Sequence, residues 1–219
     1  MQFPWYKKLA SYFTDILIES CSSEVNPELD VVLSKGRLKL STPHAVYSES
    51  EYYYNFSEVF KKLNLHKKHF PNTLVLGLGL GSIPIMLERI FHVKTLYTIL
   101  EIDPTIIQLF KKYVQKELRS EIQLIHEDAF EFINKNKIQY NLICVDLFID
   151  NEVPQIFEQL DFLEKLKKSL CPGGILIYNR IDISNRDHNL NQLFDQKFLP
   201  LFPARKIYPV GCNLMFTVH

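Results

Sequence analysis

Apolar and polar positions follow two different regimes along this chain. In the first fifty residues, 14–19, 30–33 and 37–40 form short β-type runs, separated by Asn26-Pro27 and Ser34-Lys35-Gly36. Short strands at that spacing predict a small antiparallel meander. Phe56, Val59, Phe60 and Leu63 then fall at i, i+3, i+4 and i+7, the single apolar stripe of an amphipathic helix. A polar connector, 67–72, contains Pro71. It divides the chain into an N-terminal meander with its connecting helix, residues 1–70, and a second region, 71–219.

From Thr73 onward, strand and helix patterns alternate. Leu74-Val75-Leu76 is a buried-type strand, and 82–91 a helix with Ile83, Leu87, Ile90 and Phe91 on one face. A second strand over 95–100 leads to Asp103-Pro104, an N-cap with proline at the first helical position, opening a helix to about Leu118. A third strand covers 122–125, with a short helix over 130–134. A fourth strand, 142–145, precedes a helix over 154–170, which ends at Pro172-Gly173-Gly174. The fifth strand is 175–178 and the last helix 189–199. Residues 206–218 read as a hairpin turning at Gly211-Cys212-Asn213. Strands separated by helices imply an α/β fold, a mostly parallel sheet covered by helices on both faces.

Composition narrows the classes of function. At 219 residues the chain can bury roughly 70% of its unfolded surface, enough for a sizeable core. Lys+Arg and Asp+Glu number 25 each, with no basic stripe, so a nucleic-acid partner is not expected. Cys21, Cys144, Cys171 and Cys212 are scattered without a C-x-x-C pair, and the seven histidines show no metal-ligand spacing. Neither a disulfide framework nor a metal site is expected. The N-terminus lacks the apolar stretch of a signal peptide, and 74–80 is too short to span a bilayer. These features read as a soluble, cytoplasmic protein.

Chemistry concentrates at the strand ends. Gly77-Leu78-Gly79-Leu80-Gly81-Ser82 joins the first core strand to the first core helix, where glycines let backbone approach a ligand beside a helix N-terminus. Glu101 ends the second strand, 24 residues after Gly77, where a carboxylate can accept from both hydroxyls of a ribose. Asp128 follows the third strand and Asp146 the fourth. Singly, each has a plain structural explanation: Asp128 a helix cap, Asp146 a loop contact, Glu101 a solvated strand end. Together they mark the carboxyl edge of a parallel sheet, where ligands bind in open α/β folds, and point to a nucleoside site. A dinucleotide dehydrogenase fits less well, because Ser82 stands where G-x-G-x-x-G needs its third glycine.

With these residues in place, 73–219 resembles a class I S-adenosylmethionine-dependent methyltransferase, and within that superfamily the spermidine synthase branch. The upstream segments 15–20 and 32–40 resemble that branch's N-terminal β-meander, and Glu51-Tyr52-Tyr53-Tyr54 its D-E-x-x-Y segment. The resemblance implies a Rossmann-like, mostly parallel seven-stranded sheet with an antiparallel last strand. It implies that Gly77, Leu78, Gly79 and Gly81 hold the amino-acid end of the cofactor, Glu101 and Ile102 the ribose, and Asp128 and Ala129 the adenine. Asp146 matches the acid beside the reacting amine. Tyr54 matches a tyrosine near the acceptor, with Asp150 close by and Tyr47, Tyr52 and Tyr53 as further walls. Members of the branch commonly pair, and the meander offers edge strands for a homodimer.

The departures carry information too. Spermidine synthases place an aspartate in the glycine turn where this chain has Leu80. Their second loop aspartate falls at Ile149, with Asp150 one place late, and Phe56 replaces a glutamate. Decarboxylated S-adenosylmethionine ends in a lone ammonium and needs a local anion. S-adenosylmethionine ends in a zwitterion that backbone N–H groups can hold. The uncharged turn therefore favours S-adenosylmethionine and methyl transfer to a small-molecule acceptor, an amine being one candidate. It also predicts that Leu80→Asp shifts the preference toward the decarboxylated form, if the turn tolerates it. Aminopropyl transfer is the second reading, and a nucleoside-binding protein without catalysis the third.

Overall fold

The computed structural model describes residues 3–43, 45–149 and 152–219. After a short helix, α1 (Trp5–Ala10), four strands form an antiparallel sheet in sequential order: β1 (Ile16–Cys21), β2 (Leu29–Ser34), β3 (Arg37–Ser41) and β4 (Val46–Ser48). Helix α2 (Tyr54–Lys62) buries Phe56, Val59 and Phe60, the predicted stripe. The main sheet then builds from β5 (Asn72–Leu76), α3 (Ser82–Arg89), β6 (Leu96–Glu101), α4 (Pro104–Tyr113), β7 (Ile122–His126), α5 (Ala129–Lys135) and β8 (Tyr140–Val145). It is completed by α6 (Leu160–Lys168), β9 (Leu170–Ile181), α7 (Asn185–Leu201), β10 (Lys206–Val210) and β11 (Asn213–Val218).

The strand order is β10-β11-β9-β8-β5-β6-β7. β5 to β9 pair parallel, and β11 runs antiparallel to both β9 and β10. This is the predicted α/β architecture, a mostly parallel seven-stranded sheet with an antiparallel last strand. Alternation across the pleat divides its core in two. Val75, Ile99 and Cys144 face α2, α3 and α4, whereas Leu74, Leu76, Ile143 and Val145 face α5, α6 and α7. Both faces are covered, which is why β5 reads as an unbroken apolar run. The order reverses between β5 and β8, and a crevice opens there beyond the strand ends.

Contacts cross the predicted boundary at residue 70. Leu29, Val31, Leu40, Phe56 and Phe60 belong to the same buried cluster as Val75 and Ile99. Asp103, fully buried, caps α4 by accepting from the Thr105 N–H (2.8 Å), and also accepts from Ser23 Oγ and Asn26 Nδ2 (2.8 Å). Tyr47 donates to Asn26 Oδ1 at 2.8 Å. The N-terminal sheet is thus hydrogen-bonded to the capped end of a helix flanking the crevice.

Several elements differ from expectation. The helix predicted over 154–170 is a 3-10 turn, Gln155–Glu158, followed by α6, with Gln159 extended between them (ψ 148°). The break places Glu158 Oε1 2.7 Å from Arg180 Nη1, a buried charge pair made across the fold. The helix expected to reach Leu118 ends at Tyr113 and tightens into a 3-10 turn at Gln115–Glu117. α7 starts four residues earlier than predicted, because Ser184 and Asp187 form a reciprocal capping box. β9 extends back through Pro172-Gly173-Gly174, with its register against β8 shifted between Tyr140 and Leu142 to accommodate them.

Candidate active site

The crevice deepens into a cavity of about 620 Å³. Its floor is the junction of β5 and β8. The Asp146 N–H donates to Leu76 O (2.8 Å) and the Gly77 N–H to Leu100 O (3.1 Å), so sheet pairing continues one residue past each strand. Gly77 has φ +93°, and a Cβ built there would lie 2.1 Å from the Asp146 carbonyl oxygen. The chain can turn away from the sheet here only without a side chain. Gly77→Ala should therefore lose soluble expression, or lose all nucleoside binding if it folds, as read by calorimetry with S-adenosylhomocysteine. Gly79 plays a similar part toward the N-terminal sheet, since its Cβ would meet Tyr47 O at 2.8 Å.

Every predicted nucleoside-side residue but one lines this cavity: Gly77, Leu78, Gly79, Glu101, Ile102, Asp128 and Ala129. Glu101 accepts from the N–H groups of Leu78 (3.1 Å) and Asp103 (3.0 Å), which fixes its carboxylate against the glycine turn. Burial raises its pKa, and these two bonds oppose the rise. Asp128 caps α5, with Oδ1 accepting from the Phe130 (2.8 Å) and Glu131 (3.2 Å) N–H groups. One carboxylate oxygen thus organises the helix while Oδ2 takes no bond from the described residues. Gly81 sits behind the lining, where its Cβ would strike the Phe110 ring.

Leu80 departs from expectation. Its side chain is 2% exposed, packs in the core cluster under the sheet and does not line the cavity. A side chain at position 80 points into the protein, so an aspartate there would meet apolar neighbours rather than a ligand. The N–H groups of Gly79 and Leu80 donate to no acceptor among the described residues, and the turn carries no side-chain anion.

Asp146 sits at the cavity floor with its pKa pushed up to about 6, chiefly by burial. Its Oδ1 accepts from Asn179 Nδ2 (2.8 Å) and from the Tyr53 hydroxyl (3.3 Å), both of which favour the ionised form. Asn179 Oδ1 in turn accepts from Asn213 Nδ2 (2.9 Å), linking the ends of β8, β9 and β11. Burial and the nearby Asp146 charge hold the Tyr53 phenol protonated, so it serves as a donor. Tyr53, not Tyr54, is therefore the tyrosine that touches the acid. Tyr54 lies at the rim, 60% exposed, with Tyr52 beside it. Asp150, expected in the acceptor pocket, lies outside the described residues.

Asn179 and Asn213 were not singled out in the sequence, although the same signal marks Asn179. It is the polar residue that follows the apolar run of a parallel strand, as Asp146 follows β8. Asn213 had no such mark, because it enters by the fold-back of the terminal hairpin. Among the described residues no group of three metal-ligating side chains occurs, and no helix is long and apolar enough to cross a membrane. The four cysteines are free.

The spermine/spermidine synthase domain profile matches residues 58–210. The chain belongs to that family. A probable polyamine aminopropyl transferase of Bifidobacterium longum is 24% identical over 131 residues, 60% of this chain and 29% of its own length. The chain spans about a third of the length of the relatives it matches in this way. Spermidine synthase from Thermotoga maritima superposes with a TM-score of 0.71 at 15% identity, covering 92% of this chain and 72% of that one. Human methyltransferase-like protein 13, solved in complex with SAH, superposes at 0.63 with 21% identity, covering 75% and 82%. The family's fold thus serves both aminopropyl and methyl transferases, and the site's own chemistry must separate them.

Proposed function

We propose that this chain is an S-adenosylmethionine-dependent methyltransferase acting on a small-molecule acceptor. The observation that carries this reading is the glycine turn, in which the N–H groups of Gly79 and Leu80 have no acceptor among the described residues. Free N–H groups suit a carboxylate, which S-adenosylmethionine has and its decarboxylated form lacks. The remaining residues fit the same cofactor. Glu101, fixed by two backbone donors, would take the ribose hydroxyls. Asp128 Oδ2 and the buried Ala129 would receive the adenine. When bound, the sulfonium supplies an activated methyl group.

Asp146 would act on the acceptor. An amine with an ordinary pKa of about 10.4 must lose a proton before it can attack. A carboxylate held near neutrality by burial can position that amine and accept its proton. Tyr53 and Asn179 hold the carboxylate in place, and positioning is the main source of rate in such a displacement. Among the described residues lining the cavity there is no Lys, Arg or His, but there are five carboxylates: Glu49, Glu101, Glu127, Asp128 and Asp146. That lining suits neutral or cationic acceptors. Aminopropyl transfer is the second reading, supported by the family match and by the acid-lined cavity.

Titrating both cofactors into the protein tests the choice. S-adenosylmethionine should bind more tightly. Tighter binding of the decarboxylated form would overturn methyl transfer in favour of aminopropyl transfer. Glu101→Ala should weaken S-adenosylhomocysteine binding by more than tenfold, as two hydroxyls lose a charged acceptor. Unchanged affinity in calorimetry would remove Glu101 from the site.

A further inference from the structure

Among the described residues, Glu49 is the one cavity-lining carboxylate that neither caps a helix, nor pairs, nor joins a hydrogen-bond chain with a reading already attached. It follows β4, and its backbone is fastened to the glycine turn. The Glu49 N–H donates to Ser82 Oγ (3.0 Å), and Ser48 Oγ lies 2.6 Å from the same atom. Ser48 Cβ is also the second nearest atom to the Cβ that Gly79 lacks, at 3.2 Å. The loop is therefore seated on the turn. Among the described residues its carboxylate has no hydrogen bond or ion pair.

The reason lies two residues away. Glu51 takes the nearby cations, accepting from Arg37 Nε (2.9 Å) and Arg89 Nη1 (2.9 Å), while Arg89 also bonds Glu117. Glu49 is left half-buried on a cavity with no basic lining residue among those described. A carboxylate in that setting lacks compensation until a cation arrives.

Resting on the nucleoside reading above, we infer that Glu49 holds the ammonium of the cofactor's amino-acid tail, supplying from the N-terminal sheet an anion beside the uncharged glycine turn. The turn's free N–H groups and Glu49 together match a zwitterion: donors for its carboxylate, an acceptor for its ammonium. The specificity for the tail is thus divided between two sheets.

Calorimetric titration with two ligands tests this. S-adenosylhomocysteine carries the full tail, and 5′-methylthioadenosine has the same nucleoside and thioether without it. Glu49→Gln should weaken S-adenosylhomocysteine about tenfold, the loss of one charge-assisted contact, and leave 5′-methylthioadenosine within twofold. Glu49→Lys should weaken the first ligand further and again spare the second. Unchanged S-adenosylhomocysteine affinity in both variants, or equal loss of both ligands, overturns the assignment. If 5′-methylthioadenosine fails to bind the wild-type protein, the nucleoside reading falls, and this assignment with it.

Discussion

Replacing Asp146 with asparagine is expected to abolish turnover while making the protein more stable at neutral pH. The side chain keeps its shape and its bonds to Asn179 and Tyr53, but loses the charge that accepts a proton. Formation of S-adenosylhomocysteine from S-adenosylmethionine, assayed across a panel of primary amines, should fall about 10²–10⁴-fold. Binding of S-adenosylhomocysteine should stay within about threefold. The stability change follows from the pKa, which is about 6 in the folded protein against an ordinary 3.8. Because the folded state holds the proton more tightly, Asp146 favours folding below about pH 4, and that contribution is lost as pH rises through 6. Discounted for partial exposure, the loss amounts to about 1–2 kcal/mol. The variant should thus melt roughly 2–8 °C higher than wild type at pH 7.5, and at the same temperature at pH 4. Full turnover in the variant would leave Asp146 a structural role; an unchanged melting difference across pH would contradict its raised pKa. In the wild type, activity should rise with pH through about 6 as the carboxylate ionises.

Leu80→Asp should destabilise the fold rather than switch its cofactor. The leucine is almost wholly buried in the cluster shared by α3, α4 and the sheet. An aspartate there loses the apolar contacts and buries a carboxyl group with no partner among Ile83, Phe110 and their neighbours. Together these cost about 3–5 kcal/mol. At about 2–4 °C per kcal/mol for a chain of this size, the melting temperature should fall by roughly 6–20 °C. The deficit should shrink in acid, where the carboxyl group is neutral. A variant that melts within a few degrees of wild type and prefers decarboxylated S-adenosylmethionine would show that position 80 can face the cavity after all.

Much of this architecture was legible in one dimension because it is local. The period-two and period-3.6 patterns from Thr73 onward, the Asp103-Pro104 cap and the glycine-rich turn are short-range signals, and the order of strands and helices in the main sheet follows them even where their bounds differ. The strand-end acids were legible for the same reason: a polar residue closing an apolar run marks the ligand edge of a parallel sheet. The sequence by itself therefore determined the fold class and the sheet edge at which the cavity opens. Tertiary structure decided what no local pattern encodes. It set the Tyr53 hydroxyl against Asp146, a contact between residues 93 positions apart. It split the helix before α6 so that Glu158 could meet Arg180. It aimed Leu80 into the core and brought Glu49, from a separate sheet, onto the same turn. Side-chain direction at a turn, and contacts between residues dozens of positions apart, depend on packing that only the folded chain specifies.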